Sequence, residues 1–195
     1  MDPINILVAI NLFVSISANI SGAKKGMKSK MTKVIEKPKT FLQKTPPNIA
    51  ALVLVLTIAA IFNLGTFPDE IKQQYNIWRI VGLVLFVVFS WIQVVAYKSL
   101  GNFYSQDIVI FKNHELKTDG YYSIIRHPQY ISQLLSDLGV GIALMGYLII
   151  PIVLFVEFPL FIMRAKLEDD LLKKHFKEEF ESYRKSSGFI IPFIG

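Results

Sequence analysis

The amino-acid sequence predicts an all-α integral membrane protein with about five transmembrane helices. Of its 195 residues, 52 % are hydrophobic and only 18 % are charged, whereas average soluble chains carry about 25 % charged residues. A mean hydropathy of +0.43 excludes a disordered chain and disfavours an ordinary soluble domain. The absence of cysteine excludes a disulfide framework, a thiolate nucleophile and a cysteine-ligated metal.

Three stretches with almost no charge predict the first three helices. Residues 4–20 carry no charge and precede a basic cluster, which reverses the order of a signal peptide, so they predict a membrane helix. Residues 48–67 are also uncharged, are flanked by prolines and have about the length of one span. Residues 77–97 predict the third span, in which Arg79 near the start is the one charged residue.

The last apolar stretch predicts a helical hairpin. Residues 131–163 contain only Asp137 and Glu157 as charged residues. At about 1.5 Å per residue, this stretch is too long for a single span of a ~30 Å hydrocarbon core. Gly146 and Tyr147 predict the turn between two short arms, which cross the membrane at a slant or only partly.

The distribution of Lys and Arg predicts the orientation. Residues 21–47 contain eight lysines and one acid, and a five-span topology places 19 of the 21 Lys and Arg on one side. That side is predicted to be cytoplasmic, with the N-terminus outside. Attraction to membrane lipids explains the lysine-rich loop, so no nucleic-acid partner is needed. The chain then divides into residues 1–97, three N-terminal membrane helices with this loop, and residues 98–195, which hold the polar motifs.

A polar segment on the predicted cytoplasmic side leads into the fourth helix. In this segment a β-like run at residues 107–111 is followed by the string Arg126-His127-Pro128. Pro128 fits the first turn of the helix, whose unpaired N–H groups favour an anion. One face of the helix carries residues spaced by three or four, namely His127, Tyr130, Leu134, Asp137 and Gly141. Asp137 is therefore predicted to point into the protein.

The tail after residue 163 predicts a cytoplasmic amphipathic helix that continues the fifth span and ends at Gly188. Arg164 and Glu168 form a predicted i,i+4 pair on this helix. Such a pair is most often solvated and worth a few tenths of a kcal/mol, so its spacing alone does not establish a catalytic role. Residues 189–194 are apolar and are expected to fold back onto the protein or onto lipid.

Common metal and nucleotide motifs are absent from the sequence. It contains no HExxH string, no histidine pair at i,i+4, no GxGxxG, no P-loop and no nucleophile elbow. No metal is therefore predicted, and a Rossmann or nucleotide-phosphate site is not supported.

Four strings within residues 98–195 resemble one known family. The strings are Leu100-Gly101-x-Phe103-Tyr104, His114-x-Leu116-x-Thr118-x-Gly120-x-Tyr122, Arg126-His127-Pro128-x-Tyr130, and Glu168-Asp169 followed by His175-Phe176-x-Glu178-Glu179-Phe180-x-x-Tyr183. Together they resemble the isoprenylcysteine carboxyl methyltransferases, which are membrane-integral and use S-adenosylmethionine. The wider superfamily includes phospholipid N-methyltransferases and some sterol reductases. The sequence departs from the family pattern at two places. Ser132 replaces a glycine and keeps a small side chain, and Asp169-Asp170 replace two glutamates and keep the negative charge.

The resemblance implies a cytoplasmic cofactor-binding loop and a set of S-adenosylmethionine-binding residues. The implied set is His114, Leu116, Gly120, Tyr121, Arg126, His127, Pro128, Tyr130 and Glu168. Main chain near Leu116 is expected to read adenine, and His127 and Tyr130 to hold the ribose or the amino-acid part. Arg126 and the helix start are expected to favour the cofactor carboxylate, and Glu168 its amine.

The acceptor implied by the resemblance is the carboxylate of a lipid-tailed, prenylated cysteine. A carboxylate is already ionised at pH 7, so its methylation needs no strong general base. The hypothesis is that the catalytic residues are Arg164, which holds this carboxylate, and Glu168, which holds Arg164 or the cofactor. The alternatives are a phospholipid N-methyltransferase, a lipid-biosynthetic reductase, and a non-enzymatic scaffold or channel. An amine acceptor needs a proton acceptor, whereas a carboxylate acceptor favours a cation.

Overall fold

The computed structural model describes residues 2–28, 33–192 and 194, and it describes side chains for all of these except residues 20–28 and 102. The helices are α1 (Pro3–Lys28), α2 (Thr45–Ile61), α3 (Asp69–Gln74), α4 (Asn76–Leu100), α5 (Pro128–Leu144), α6 (Ile149–Ile152), α7 (Phe158–Phe176) and α8 (Glu178–Ser186). Two short strands, β1 (Val34–Glu36) and β2 (Ile110–Phe111), pair antiparallel. The fold is mostly helical, as the composition predicts.

Helices α1, α2, α4 and α5 and the continuous helix formed by α6 and α7 alternate in direction. At one end of this bundle the Asn5 side-chain amide donates to the Ile61 carbonyl at 3.0 Å, which joins the start of α1 to the end of α2. At the other end Arg164 of α7 reaches the Leu42 carbonyl just before α2. We call the first end the hairpin end, because the turn between α5 and α6 lies there, and the second the cleft end.

Helices α4 and α5 pack closely because each has a glycine at the contact. A Cβ atom on Gly82 would lie 2.7 Å from the Gly139 carbonyl oxygen, and a Cβ atom on Gly139 would lie 2.8 Å from the Gly82 carbonyl oxygen. Both distances are shorter than carbon–oxygen packing tolerates, so only glycine allows this approach. The contact fixes the position of α5, whose first turn carries the Arg126-His127-Pro128 string.

Helix α2 is shorter than predicted, because it ends at Ile61 and not at residue 67. Asn63 and Gly65 have φ angles of 64° and 71°, which reverse the chain. The Asn63 side chain accepts hydrogen bonds from Asn5 and from Lys72. The apolar stretch therefore includes a turn that its hydropathy conceals.

The predicted turn between the two arms of the hairpin is confirmed. Helix α5 ends at Leu144, and Met145 follows in the left-handed conformation with a φ of 53°. The Gly146 N–H then donates to the Gly141 carbonyl at 2.9 Å, and helix α6 begins at Ile149.

A wider, π-helical turn (Val153–Glu157) connects α6 to α7 without interrupting the helix. Pro159 accounts for this turn, because a proline has no N–H to donate to the carbonyl four residues earlier. The turn places Glu157 in the interior, where the residue is 0 % exposed. Asp137 is 9 % exposed, which confirms that it points into the protein.

The predicted single tail helix is wrong, because Lys177, with a φ of 48°, separates α7 from α8. The polypeptide after α8 returns to the bundle, where the Arg126 N–H donates to the Gly188 carbonyl at 2.8 Å. Phe189 packs its ring edge against His127, with ring centroids 5.2 Å apart. These contacts confirm, for the described residues, that the tail folds back onto the protein.

Strand β2 confirms part of the β-like run at residues 107–111. Its partner β1 lies in the lysine-rich loop, which the sequence analysis explains only by lipid attraction. Residues 29–32 of that loop are outside the described residues. The pairing of β1 with β2 closes one side of the cleft end.

The described helices present much apolar surface. Phe13 of α1 is 74 % exposed and Ile77 of α4 is 77 % exposed, and soluble monomers rarely present large apolar patches. By length and composition, two segments are able to cross a membrane, Phe41–Ile61 and Asn76–Leu100, and Pro3–Asn19 is a shorter apolar helix. The count of five spans stays a prediction.

Candidate active site

A cleft opens at the cleft end, between β2 with its following loop and the ends of α4, α5 and α7. Seven of the ten predicted site residues line it: His114, Leu116, Arg126, His127, Tyr130, Arg164 and Glu168. The structure therefore brings together most of the set that the motifs indicate.

Arg164 is 4 % exposed, and its guanidinium makes four hydrogen bonds. Nη1 donates to the carbonyls of Leu42 at 2.6 Å and Gln43 at 3.2 Å, Nη2 donates to the Gln106 carbonyl at 2.6 Å, and Nε donates to the Tyr130 hydroxyl at 3.0 Å. All four acceptors are uncharged. One of the five guanidinium N–H groups is left over. Arg164 thus holds a buried positive charge that no carboxylate of the described residues neutralises directly.

The predicted direct pair between Arg164 and Glu168 is not formed in the described part of the chain. The Tyr130 hydroxyl stands between the two side chains, because it accepts from Arg164 Nε and donates to Glu168 Oε2 at 2.7 Å. The guanidinium also lies 5.9 Å from the centroid of the Tyr130 ring. Glu168 therefore orients Arg164 through Tyr130.

Asp169 fixes the two basic residues of the Arg126-His127-Pro128 string. Its Oδ1 lies 2.8 Å from His127 Nε2, and its Oδ2 accepts from Arg126 Nε at 3.0 Å. Arg126 Nη1 also donates to the Ser187 carbonyl at 2.7 Å. The charge of Arg126 is thus already paired, and this residue connects α5 to α7 and to the tail.

An aromatic wall closes the far side of the cleft. The His114 ring stacks on Phe103 with centroids 5.1 Å apart and an interplanar angle of 4°, and Phe176 approaches His114 edge-on. Burial, and secondarily the neighbouring His175, lower the pKa of His114 to about 4. The imidazole is therefore neutral near pH 7 and provides a flat surface for a planar ring.

A second cavity, which we call the side cavity, adjoins the cleft. It lies among α2, α4, α5 and α7 and is lined in part by Ala50, Tyr97 and Phe161. Arg164 and Tyr130 line both spaces. The buried guanidinium thus lies where a polar cleft meets a cavity among membrane-type helices.

Residues 77–179 match the model of the phospholipid methyltransferase family. This range is more than half of the chain and includes all ten predicted site residues and most of the residues that line the cleft and the side cavity. The chain belongs to this family. Within the family, its similarity to the isoprenylcysteine carboxyl methyltransferases is confirmed by several relatives and by one solved structure.

Two curated relatives from yeasts are named protein-S-isoprenylcysteine O-methyltransferase. The one from Saccharomyces cerevisiae is 28 % identical over 134 residues, which are 66 % of this chain and 56 % of the relative. The one from Schizosaccharomyces pombe is 26 % identical over 141 residues, 71 % of this chain and 60 % of the relative. The chain therefore spans little more than half the length of these relatives.

A solved structure, titled as a eukaryotic intramembrane Ras methyltransferase of the isoprenylcysteine carboxyl type, has a similar fold. It matches with a TM-score of 0.60 and 26 % identity, and the match covers 77 % of this chain and 54 % of that one. The similarity supports an integral membrane fold for this family member.

Two buried polar atoms in the cleft have no hydrogen-bond partner, the Tyr122 hydroxyl oxygen and Gln129 Oε1. Buried polar groups rarely stay unpaired, so these two atoms are available to bind a ligand that enters the cleft. Burial and the nearby Glu168 carboxylate hold the pKa of the Tyr122 phenol well above its usual value. Tyr122 therefore stays protonated and is a hydrogen-bond donor to the cleft.

Three predicted site residues of this family member do not line the cleft. Tyr121 is 40 % exposed, and Gly120, with a φ of 59°, starts the turn that instead directs Tyr122 inward. Pro128 is buried at the first turn of α5 and positions His127 and Tyr130. Their predicted contact with a cofactor stays a prediction.

The sequence analysis missed Asp169 and Tyr183 as site residues. Tyr183 lines the cleft, and its hydroxyl donates to the Tyr122 carbonyl at 2.7 Å. The position of Asp169 directly after Glu168 could have indicated its role, because side chains at adjacent positions of a helix point in different directions and contact different partners. Among the described residues, no group of three or more His, Cys, Asp or Glu is placed to hold a metal ion.

Proposed function

We propose that this protein is a membrane-embedded methyltransferase that moves a methyl group from S-adenosylmethionine to the carboxylate of a prenylated cysteine. The observation that carries the proposal is the buried Arg164, whose charge meets only uncharged oxygens between the cleft and the side cavity. The curated relatives named protein-S-isoprenylcysteine O-methyltransferase support it.

A buried guanidinium without a counterion favours an anionic ligand. Removing a charge from water costs several kcal/mol, and a carboxylate hydrogen-bonded to the guanidinium offsets much of that cost. The carbonyls of Leu42 and Gln106 already hold the Arg164 side chain, so little entropy is lost when the ligand binds. Arg164 is thus pre-organised to hold the acceptor carboxylate, and a protonated amine acceptor would be repelled.

The cleft has the donor set that S-adenosylmethionine requires. Glu168, whose second oxygen is not engaged by Tyr130, provides an anion for the ammonium group. The first turn of α5 provides N–H groups for the carboxylate, and the wall of His114 and Phe103 provides a flat surface for adenine. The free Tyr122 hydroxyl and Gln129 Oε1 provide polar contacts. When bound, S-adenosylmethionine supplies an electrophilic methyl group.

The residues of this chain contribute positioning and exclusion of water. The acceptor carboxylate is ionised at neutral pH, so no residue has to remove a proton. Arg164 would orient that carboxylate toward the cleft, while Tyr130 and Glu168 keep the guanidinium in place. The lipid tail would occupy the side cavity, where the apolar surfaces of Ala50, Tyr97 and Phe161 would reduce the access of water to the acceptor.

The membrane topology is part of the proposal. We propose five spans, formed by α1, α2, α4, α5 and the continuous α6–α7 helix, with the N-terminus outside and the cleft end cytoplasmic. The alternating direction of the helices and the Lys and Arg count support this arrangement. Residues 1–97 would supply the first three spans, and residues 98–195 the catalytic region. Membrane lipids would surround the exposed apolar faces.

The test is methyl transfer by the purified protein in detergent micelles, with labelled S-adenosylmethionine and either N-acetyl-S-farnesylcysteine or phosphatidylethanolamine as acceptor. We expect transfer to the farnesylcysteine and none to the phospholipid. Transfer to phosphatidylethanolamine alone would instead establish the phospholipid N-methyltransferase alternative. Absence of both reactions, together with no thermal stabilisation by S-adenosylmethionine, would refute the proposed enzyme function.

A further inference from the structure

Gln43 is a buried polar residue that lines neither the cleft nor the side cavity. It ends a short 3-10 turn (Phe41–Gln43) just before α2 and is 7 % exposed. Its side-chain Nε2 donates to the carbonyls of Pro38 at 3.1 Å and Ile108 at 2.9 Å, and its Oε1 accepts from the Ile108 N–H at 2.9 Å. A buried amide that is bonded at both ends has one fixed orientation, so Gln43 holds a defined contact between two distant segments.

The contact between Gln43 and Ile108 takes the place of a backbone pairing. Both backbone polar groups of Ile108 bond to the one side-chain amide, as they would bond to a neighbouring strand. Ile108 is 4 % exposed, and buried backbone groups that lose their partners cost free energy. The Gln43 side chain therefore joins residues 105–108, which lead into β2, to the turn before α2.

The two segments that Gln43 joins supply three of the four hydrogen-bond acceptors of Arg164. The carbonyls of Leu42 and Gln43 lie 2.6 and 3.2 Å from Nη1. The carbonyl of Gln106, which precedes Ile108 by two residues, lies 2.6 Å from Nη2. The guanidinium is thus held between two segments, and the Gln43 amide sets the separation between them. If the segments moved apart, Arg164 would lose its acceptors on one side.

An exposed ion pair links the same two parts of the chain and offers a comparison. Lys37 Nζ lies 2.6 Å from Asp107 Oδ2, and the two side chains are 47 % and 45 % exposed. Exposed ion pairs contribute about 0–1 kcal/mol and are screened by salt. The buried amide of Gln43 is directly bonded to the segments that carry the acceptor carbonyls, so we expect it to set their geometry more firmly than the ion pair does.

We propose that Gln43 is a positioning residue of the acceptor site, whose side chain fixes the carbonyls that orient Arg164. This inference rests on the proposed carboxyl methyl transfer, and it gives the loop between α1 and α2 a part in that reaction. A guanidinium held from two sides presents its remaining N–H in one direction and binds a carboxylate with little loss of entropy. Without the Gln43 amide, Arg164 keeps its charge but orients the carboxylate less well.

The test measures the ratio of the affinities for N-acetyl-S-farnesylcysteine and for its carboxamide in the parent protein and in Gln43→Met. Methionine has a similar volume and cannot form the three hydrogen bonds. We expect the ratio to fall by about threefold or more, while the affinity for S-adenosylhomocysteine changes less than about twofold. A general loss of stability would reduce the folded fraction and leave the ratio unchanged. An unchanged ratio in folded Gln43→Met would overturn the inference.

Two further variants control for folding and for the link between the segments. Lys37→Met removes the exposed ion pair and should retain the parent ratio. Gln43→Asn keeps an amide that is one methylene too short to bond both segments, so it should lower the ratio as Gln43→Met does and provides the test if Gln43→Met does not fold. Thermal stabilisation by S-adenosylhomocysteine checks folding. An equal fall of the ratio in Lys37→Met would contradict a specific role for Gln43.

The Arg164→Gln background shows whether Gln43 acts through Arg164. Gln43→Met should cause no further change of the ratio there, because both substitutions affect the same contact. A further fall would contradict the assignment. If the parent protein does not prefer the carboxylate, the proposed function fails together with this inference. If the parent prefers the carboxylate and Gln43→Met retains the full preference, only the inference about Gln43 fails.

Discussion

Two buried arginines occupy opposite ends of the same bundle and differ in their partners. Arg79 at the hairpin end is 2 % exposed, contacts Asp2 at 2.8 Å and donates to the Ala143 carbonyl at 3.0 Å. Arg164 at the cleft end is 4 % exposed and contacts only uncharged oxygens. Arg79 lines none of the cavities described above, whereas Arg164 lines two.

The difference shows how a buried charge that stabilises the fold is distinguished from a buried charge that binds a ligand. Where the counterion belongs to the chain, as Asp2 does for Arg79, the pair closes the bundle. Where the chain supplies only carbonyls and a hydroxyl, the charge remains available to a ligand. Arg126 falls in the first class, because Asp169 neutralises it.

The largest effect is expected from removing the unpaired charge. In Arg164→Met, kcat/KM for the carboxylate acceptor should fall by about 10²–10³-fold, because the loss of a buried charged contact costs about 3–4 kcal/mol. The affinity for S-adenosylmethionine, measured by calorimetry, should change less than threefold. A variant that retains full turnover would show that Arg164 does not hold the acceptor.

Removing the paired charge should affect stability and not turnover. Arg79→Met should lower the free energy of unfolding by about 3 kcal/mol, because it leaves Asp2 and the Ala143 carbonyl without their partner. The measurement is chemical unfolding in mixed micelles. The kcat of the folded fraction should stay within twofold, and a large drop in kcat at unchanged stability would reverse the roles assigned to the two arginines.

The α4–α5 contact offers a test of the scaffold that is independent of charge. Gly82→Ala should lower the free energy of unfolding by about 1–3 kcal/mol, since the added methyl group meets the Gly139 carbonyl. Gly101→Ala isolates backbone strain from crowding, because a Cβ atom there has no neighbour within 4 Å while its φ of 55° strains any residue with a side chain. Thermal unfolding with and without S-adenosylhomocysteine measures both variants. A Gly82→Ala protein as stable as the parent would show that the helices separate easily.

Substitution of Asp169 tests the role of a paired charge near the cleft. Asp169→Asn should weaken S-adenosylmethionine binding by about tenfold, because a weakened hold on Arg126 and His127 loosens the start of α5. The neighbouring Asp170 is exposed, so Asp170→Asn is the matched control and should bind normally. Equal affinities of the two variants would remove Asp169 from the site.

The smallest expected effect concerns pH. Because burial lowers the pKa of His114 to about 4, from about 6.5 for an ordinary histidine, the unfolded chain binds a proton between these pH values that the folded chain does not. Stability should therefore fall as the pH falls from about 6.5 to 4. His114→Phe, which keeps the stack on Phe103, should lose part of this acid sensitivity in thermal unfolding without ligand. An unchanged pH dependence would show that His114 is not buried as a neutral ring.

Elements of the fold that depend on composition and periodicity could be predicted from the sequence. The apolar helices, the turn at Gly146 and the inward direction of Asp137 follow from hydropathy, glycine placement and helical spacing. The end of α2 could not be predicted in this way, because Asn63 and Gly65 interrupt a stretch that is otherwise apolar. Strand β1 was missed because three residues in a lysine-rich loop become a strand only through pairing with β2.

Site residues could be predicted from the sequence where a single motif supplies them, but contacts that join several elements could not. Arg126 and His127 of the first string and Glu168 of the acidic pair line the cleft. The link from Arg164 through Tyr130 to Glu168 required the position of α5 against α7, which spacing along a single helix cannot provide. The carbonyls of Leu42 and Gln106 that hold Arg164 have no side-chain signature at all.

The most direct test of the central claim is the affinity for a carboxylate and for its neutral analogue. Binding of N-acetyl-S-farnesylcysteine and of its carboxamide would be measured by competition in the parent protein and in Arg164→Gln. If Arg164 holds the acceptor carboxylate, the carboxamide binds at least tenfold more weakly to the parent protein, and the two affinities become nearly equal in Arg164→Gln. Equal affinities in the parent protein, or an unchanged ratio in the variant, would contradict the account.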